Sequence, residues 1–350
     1  MTEFSFVARP LGIMAFVFIV TVVLMPALIR LLQRLKMGKS IRDAASAPVM
    51  AALHKAKAGT PTMGGIIIWT TVLVTALGLS GLCFGFGEGS TWCQLSFLSR
   101  GQTWLPLGLM TAAALIGLLD DYLNVRRLGA HGGGLRARHR LLSYAVIAII
   151  GAWWFYTKLG WDQLHVPFFG TFNIGAWYIL FFIFVIVATS FSVNETDGLD
   201  GLAGGTLLTG FGAYAIIAWS QGRMDLATLC AAIVGGLIGF LWYNINPANV
   251  FMGDTGAMSL GTVLGVVALM TNQPLLLIVI GLPFVVESLS VLLQVTSKKL
   301  RHGKKIFKSS PLHHHLEASG WSEPRIVMRF WLISIVLAGV GAVLAMMDPL

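Results

Sequence analysis

Long apolar runs constrain this chain more than any other feature of its sequence. They cover residues 11–32, 141–156, 177–193, 275–295 and 326–346, and a helix of about 20 apolar residues crosses a bilayer. Only 11% of the residues are charged, whereas a soluble domain carries about 25% charge. This deficit excludes an ordinary cytosolic enzyme and predicts a polytopic membrane protein.

The hydropathy pattern predicts an all-α fold in which a single domain, residues 1–350, contains about ten transmembrane helices. Because roughly 150 residues remain between spans of this length, any chemistry must be built from loops and helix ends. Gly281 and Pro283 predict that the ninth helix is broken. The predicted spans are 11–35, 62–82, 104–122, 140–157, 172–192, 199–218, 227–243, 256–271, 274–296 and 326–347.

Basic residues are distributed unevenly between the two predicted faces. Twenty of the 24 Lys and Arg residues fall on one face, so the positive-inside rule predicts that this face is cytoplasmic and that both termini are periplasmic. We therefore attribute the basic excess to membrane orientation and not to nucleic-acid binding. The three cysteines lack a metal-binding spacing, although Cys83 and Cys93 can pair across a loop. The remaining four basic residues are Arg9, Arg100, Lys158 and Arg223.

Two acidic motifs are predicted at the cytoplasmic face. Asp120 and Asp121 are adjacent carboxylates at a membrane edge, an arrangement that suits a divalent cation or a general base; the alternative is a solvated helix end. Asn194, Asp197 and Asp200 would share one helical face at their spacing. Their oxygen atoms suit Mg²⁺ or the hydroxyl groups of a polar substrate. The alternative is a helix N-terminus with acids in its first turn.

Two polar loops contain further candidates. Asn244 and Asp254 flank a short turn between two spans, where Asp254 either completes a metal site or is only an N-cap. Lys57 precedes a glycine-rich segment, residues 59–65 (GTPTMGG), that includes Thr62. A lysine beside the backbone amides of such a turn predicts an anion site, and a plain juxtamembrane linker is the alternative.

Three consecutive histidines, His313, His314 and His315, lie in the most basic loop. Successive side chains on a helix diverge by about 100°, so the three cannot all face one metal. We predict that they hydrogen-bond phosphate oxygens beside Lys and Arg; the alternative is a solvated surface cluster. The motifs together supply acids that can bind Mg²⁺, cations that can bind a diphosphate and a groove at the membrane edge that can admit a lipid. This combination indicates phosphoryl transfer.

In their order along the chain, these motifs resemble the polyprenyl-phosphate N-acetylhexosamine-1-phosphate transferase superfamily. Within it they are similar to the branch that acts on the muramoyl pentapeptide, because residues 320–323 (GWSE) and 329–331 (RFW) follow the triple histidine. The chain departs from the family pattern at Asn124, Glu195 and Ala257. The motifs that carry the resemblance are residues 59–65, 120–122 (DDY), 196–203 (TDGLDGLA), 247–254 (PANVFMGD) and 313–315.

The resemblance implies an activity, a cofactor and a location. It implies transfer of phospho-MurNAc-pentapeptide from UDP-MurNAc-pentapeptide to undecaprenyl phosphate, giving lipid I and UMP, by a Mg²⁺-dependent homodimer in the bacterial cytoplasmic membrane. Asp254 matches the metal-binding aspartate, and Asp120 and Asp121 match the pair implicated in metal contact and in deprotonation of the lipid phosphate. The nucleotide-, phosphate- or metal-contacting positions are matched by Lys57, Thr62, Asn194, Asp197, Asp200, Asn244 and His314.

Two other functions remain as alternatives. A relative that uses UDP-N-acetylglucosamine is disfavoured by residues 313–317, which are typical of the muramoyl branch. A transporter would place acids near the bilayer midplane and contain inverted repeats, whereas only Glu287 lies mid-span, where we expect a polar contact within the broken helix. We expect direct attack by the lipid phosphate, because no nucleophile with a dedicated base stands out.

Overall fold

The computed structural model describes residues 3–38, 57, 59–129 and 133–348. Three of the basic residues counted above, Lys39, Arg42 and Lys55, lie outside the described residues. The elements in chain order are α1 (Glu3–Arg34), α2 (Ile66–Phe86), α3 (Thr91–Leu95), α4 (Trp104–Val125), α5 (Ala137–Leu159), β1 (Gln163–Val166), β2 (Gly170–Asn173), α6 (Trp177–Thr196), α7 (Leu202–Ser220), α8 (Met224–Asn244), α9 (Gly253–Met270), α10 (Leu277–Ile280), α11 (Leu282–Leu300), α12 (Leu312–Glu317) and α13 (Glu323–Met347).

Nine of the described helices are long and apolar enough to cross a membrane. The predicted ninth span is broken between α10 and α11, as Gly281 and Pro283 indicated, because proline has no backbone N–H and begins a new helix readily. With α10 and α11 taken as one crossing, the described chain traverses the bundle ten times. The prediction of about ten spans is confirmed.

The two ends of the bundle differ in chemistry. We call the end that contains the last turn of α4, the last turn of α6 and the first turn of α9 the acid end, and the opposite end, with β1 and β2, the hairpin end. The described members of the larger basic set lie at the acid end. Cys83 and Cys93 form a disulfide at the hairpin end, so the pairing that their spacing allowed is present.

A two-stranded antiparallel hairpin departs from the all-α prediction. The fifth span was predicted to begin at residue 172, but Phe172 pairs with Leu164 in the hairpin, and α6 begins five residues later. Gly170 adopts a φ of 101° at the turn, which only glycine takes readily. His165 of β1 contacts Asp348, after the end of α13, at 3.1 Å. This contact fixes the hairpin against the end of the last helix.

Helix α9 forms the centre of the bundle. Every residue from 255 to 270 is buried, and the helix packs against α4 on one side and α6 on another. Ser190 of α6 and Thr262 of α9 share a buried hydrogen bond of 2.9 Å. Small and polar residues at such contacts let membrane helices approach closely. The first turn of α9 is therefore held firmly at the acid end, where the candidate site lies.

Candidate active site

A small polar cavity opens at the acid end of the bundle, and we call it the acid cavity. Its volume is about 60 Å³, enough for a few water molecules or a partly hydrated cation. It lies where α4 and α6 end and α9 begins, so three different helices contribute to it. The residues that line it are Thr62, Asp121, Asn124, Val125, Asn194, Asp197, Gly253 and Asp254.

Each carboxylate at the junction of α4 and α9 has a defined neighbour. Asp121, which is 4% exposed, accepts a hydrogen bond of 3.0 Å from the backbone N–H of Thr255. This N–H belongs to the first turn of α9, whose free donors need acceptors from elsewhere. Asp120 is also buried, and its Oδ1 atom accepts from the N–H of Leu135 at 2.5 Å. Asp120 faces Asp254 across the junction.

Arg140, in the first turn of α5, belongs to this site although the sequence did not single it out. Its Nε lies 3.5 Å from Oδ2 of Asp120, and its Nη1 donates to Oδ1 of Asn194 at 3.1 Å. The Nδ2 of Asn194 in turn donates to Asp254 at 2.6 Å. One guanidinium therefore orients the amide that holds Asp254. A basic residue at the entry of the span after the Asp120 motif was the only available signal.

The donor set of the acid cavity suits a hard divalent cation. Among the described residues, no three His, Cys, Asp or Glu side chains converge as a complete metal cage. Mg²⁺ does not need one, because it keeps several waters and is usually bound by one or two carboxylates plus substrate phosphates. The carboxylates of Asp121, Asp197 and Asp254 supply oxygen donors. Oδ2 of Asp120 is buried, and the guanidinium of Arg140 lies 3.5 Å from it.

Lys57 and Asp200 lie in a second, separate cluster. The Nζ of Lys57 is 2.7 Å from Oδ1 of Asp200 and 2.5 Å from Oε1 of Glu323, at the start of α13. Asn246 donates to both carboxylates, at 3.0 and 3.2 Å. We call these four residues the Lys57 cluster. Glu323 was not predicted as a site residue, and its sequence position, 266 residues from Lys57, gave no indication of the contact.

The prediction that Asn194, Asp197 and Asp200 share one helical face is wrong. Helix α6 ends at Thr196, and the chain then turns through Gly201, whose φ is 81°. The turn leaves Asn194 and Asp197 at the acid cavity and places Asp200 in the Lys57 cluster. A helical spacing predicts a shared face only while the helix continues.

Asn244 and the glycine-rich segment form hydrogen bonds that link neighbouring backbone segments. Oδ1 of Asn244 accepts from the N–H of Gly201 at 3.0 Å, and its Nδ2 donates to the carbonyl of Val250 at 2.8 Å. The N–H groups of Gly64 and Gly65 donate to the carbonyls at positions 251 and 252, at 2.8 and 2.9 Å. These amides are therefore not available to an anion, and the predicted glycine-rich anion site is wrong in this respect. Thr62 alone of the segment lines the acid cavity.

The reason for glycine in this segment is close backbone packing. A Cβ atom at Gly65 would lie 2.6 Å from the backbone nitrogen of Gly256, and one at Gly64 would lie 2.7 Å from a methyl group of Val250. Real Cβ atoms do not come this close, so a side chain at Gly65 would force the entry of α2 away from the first turn of α9, and one at Gly64 would force it away from the loop before α9. The segment acts as a packing surface beside the cavity.

The three histidines of α12 have three different environments. His313 is fully buried, and its N–H and Nδ1 contact the carboxylate of Glu287 at 3.1 to 3.3 Å. Nδ1 of His314 lies 2.8 Å from Glu317, and Nδ1 of His315 accepts from the N–H of Lys308 at 3.1 Å. The structure therefore does not bring the three together as one phosphate-binding group. Glu287 makes a polar contact, but its partner is His313 on α12 and not a group within the broken helix, as the sequence had predicted.

Substitution of Glu287 by alanine is expected to destabilise the protein. The change leaves the N–H and the ring of His313 buried without their acceptor, which costs about 3 kcal/mol. Thermal unfolding of the detergent-purified protein should show a lower Tm for Glu287→Ala. Glu88→Ala, at an exposed position of the hairpin end, should leave the Tm unchanged, and equal values for the two variants would contradict the structural role of this pair.

Sequence comparison assigns the chain to a family. The family model of glycosyl transferase family 4 matches residues 103–272, and signature 1 of phospho-N-acetylmuramoyl-pentapeptide-transferase matches residues 57–68. Relatives named phospho-N-acetylmuramoyl-pentapeptide-transferase occur in Geobacillus sp. (strain WCH70) and Bacillus anthracis (strain A0248). Each is 42% identical and covers 93% of this chain and 94% of its own length. The chain belongs to the phospho-N-acetylmuramoyl-pentapeptide-transferase family. A relative of the same name in Syntrophus aciditrophicus (strain SB) is 41% identical over 91% of this chain and 88% of its own length.

Family membership is consistent with the fold and with the position of the site. The chain is a multi-pass membrane protein of a bacterial transferase family. The two matched segments of the transferase family contain every residue that lines the acid cavity, since Thr62 lies within residues 57–68 and the others lie within residues 103–272. Lys57, Asp200 and Asn246 of the Lys57 cluster also lie within these two segments, whereas Glu323 lies beyond both.

Proposed function

We propose that this chain transfers phospho-MurNAc-pentapeptide from UDP-MurNAc-pentapeptide to undecaprenyl phosphate, forming lipid I and releasing UMP. The observation that carries the proposal is the acid cavity, which lies at one end of a membrane-spanning bundle in a member of this transferase family. A cavity at the ends of membrane-spanning helices would be accessible to a nucleotide from water and to a phosphate whose prenyl chain stays in the bilayer.

The proposed reaction is a single displacement at phosphorus. An oxygen of the lipid phosphate forms a bond to the sugar-linked phosphorus, and the bond from that phosphorus to the bridging oxygen breaks, so that its electron pair leaves with UMP. The second pKa of a phosphate monoester is about 6, so only a fraction of the lipid phosphate carries a proton at neutral pH. We assign uptake of that proton to Asp121, the member of the Asp120 and Asp121 pair that lines the cavity.

Mg²⁺ is proposed as the cofactor, and one or two of the carboxylates of Asp121, Asp197 and Asp254 would hold it together with phosphate oxygens of the substrate. When bound, it neutralises diphosphate charge, which is the main requirement of phosphoryl transfer. Arg140 contributes a fixed positive charge beside Asp120 and keeps Asn194 oriented toward Asp254. We propose direct transfer over a covalent intermediate, because no nucleophile with a dedicated base stands out among the described residues that line the cavity.

We further propose that the acid end faces the cytoplasm of a bacterial inner membrane. The described members of the larger basic set lie at the acid end, as expected of a cytoplasmic face. The disulfide of Cys83 and Cys93 lies at the hairpin end, and disulfides persist in oxidising compartments such as the periplasm. The UDP-linked substrate then reaches the cavity from the cytoplasm, and both termini are periplasmic.

A transporter is the second function considered, and the position of the acids argues against it. The carboxylates of Asp120, Asp121 and Asp254 lie in terminal turns of α4 and α9, not near the bilayer midplane. Glu287, the mid-span acid, contacts His313. A transport site would instead contain partly unwound helices around a central polar cavity.

A purified-enzyme assay tests the proposal. The full chain in detergent should release UMP from UDP-MurNAc-pentapeptide only when undecaprenyl phosphate and Mg²⁺ are both present. Removal of divalent cations with EDTA should abolish release, and excess Mg²⁺ should restore it. The absence of turnover would reject the activity, and equal turnover with UDP-N-acetylglucosamine would assign the chain to the other branch. Turnover that persists in EDTA would reject the metal site alone.

A further inference from the structure

A second cavity lies at the acid end, between α1 and the end of α8, and we call it the α1–α8 cleft. Its volume is about 400 Å³. It shares no lining residue with the acid cavity and contains none of the residues assigned to catalysis. The residues that line it are Pro26, Ile29, Arg30, Gln33, Tyr243 and Asn249.

One wall of the cleft is held by a hydrogen bond that replaces a helical bond missing from α1. Pro26 has no backbone N–H, so the carbonyl of Val22, four residues earlier, loses its helical donor. The hydroxyl of Tyr243 donates to that carbonyl at 3.2 Å. The N–H of Asn249 donates to the carbonyl of Tyr243 at 2.8 Å. These bonds join the proline of α1, the end of α8 and the following loop into one preformed surface.

The cleft combines an apolar wall with a cationic rim. Pro26, Ile29 and the ring of Tyr243 are apolar, whereas Arg30, Gln33 and Asn249 carry hydrogen-bond donors. Within the described ranges of the chain, no carboxylate lines the cleft. Among the described residues, the hydrogen bond of the Arg30 guanidinium runs from Nε to the carbonyl of Pro26, at 3.3 Å. With respect to the part of the chain that the structure describes, its two terminal nitrogens therefore remain available to an anion, with forked geometry that suits phosphate.

The surroundings of the cleft identify the class of ligand. Leu24 and Leu31 on α1 and Trp242 on α8 are large apolar side chains exposed on the outside of the bundle, as expected of a lipid-facing surface. A phosphate at Arg30 would therefore be attached to chains that lie along this surface. We propose that the α1–α8 cleft binds the headgroup phosphate of an anionic phospholipid from the surrounding bilayer.

Native mass spectrometry of the full chain tests this site without any need for turnover. The detergent-purified protein is titrated with dioleoyl phosphatidylglycerol and, separately, with dioleoyl phosphatidylcholine. We expect tighter binding of phosphatidylglycerol, and we expect Arg30→Gln to weaken it about tenfold, since the hydrogen bonds that a guanidinium donates to phosphate are charge-assisted. Arg34→Gln is the matched control, because Arg34 is exposed one helical turn further along α1 and lies outside the cleft.

Several outcomes overturn the proposal. The first is that the Arg30 and Arg34 variants lose affinity for phosphatidylglycerol equally. The second is that the parent chain binds the two lipids with equal affinity. The third is that millimolar inorganic phosphate displaces the lipid. A dimer that Arg30→Gln dissociates, with lipid binding unchanged, would assign the cleft to a second copy of the chain. If Arg30→Gln does not fold, Gln33→Glu places a carboxylate at the rim, and unchanged phosphatidylglycerol binding by that variant overturns the proposal equally.

Discussion

Asp254→Asn is expected to lower the rate of UMP release by about 1,000-fold. The carboxylate of Asp254 lines the acid cavity, faces Asp120 and accepts a hydrogen bond from Asn194. The substitution removes one negative charge from the proposed metal site, and loss of a single preorganised electrostatic group costs between about 100- and 1,000-fold. The amide keeps the shape of the side chain and an oxygen that can accept from Asn194, so the fold should persist.

Two measurements separate a chemical effect of this substitution from a structural one. The Tm of the detergent-purified variant should lie close to that of the parent chain, and the turnover of Glu88→Gln, a charge removed at the opposite end, should be normal. The apparent affinity for Mg²⁺ should fall in any residual activity. Retained activity at parental Mg²⁺ concentrations would remove Asp254 from the metal site.

Gly117→Ala is expected to lower turnover by about 100-fold although this glycine has no side chain and no chemical role. A Cβ atom at position 117 would lie 2.6 Å from the carbonyl carbon of Asp254 and 2.7 Å from Cα of Thr255. These are backbone atoms, so α4 and the first turn of α9 must separate. Asp121 and Asp254 would then no longer share one cavity, and a misplacement of about 1 Å at a reacting centre can cost 100-fold in rate.

Gly108→Ala is the matched control for this effect. Gly108 lies on the same helix, and a Cβ atom there would meet no atom within 4 Å. Its turnover and its Tm should equal those of the parent chain. If Gly108→Ala and Gly117→Ala reduce turnover equally, the loss reflects helix α4 in general and not its contact with α9.

Much of the site could be predicted because its members lie at helix ends that the hydropathy pattern locates. Asp121, Asn194, Asp197 and Asp254 were each predicted at the cytoplasmic ends of spans, and the structure brings these four to one cavity. Alternation of spans places such ends on one side without any knowledge of how the helices pack. The catalytic and ligand roles given to these residues stay predictions.

The contacts that could not be predicted depend on packing between distant segments. Lys57 contacts Glu323 at the start of α13, a helix that packs beside α7. His313 was expected at phosphate, but it is buried against Glu287 because α12 lies on α11. The hairpin was missed because Phe172 continues an apolar run, although in the structure it pairs with Leu164. A one-dimensional pattern does not distinguish these environments.

The burial of α9 has a consequence for how the membrane can influence the reaction. A helix that contacts lipid adjusts its tilt when bilayer thickness changes, but residues 255–270 of α9 are covered by protein throughout. Hydrophobic mismatch therefore acts first on the outer helices, such as α1, whose lipid-facing side chains are exposed. Asp254 lies in the first turn of this central helix, which packs against α4 and α6. The same enzyme should consequently work in membranes of different thickness with little change in the geometry of its acid cavity.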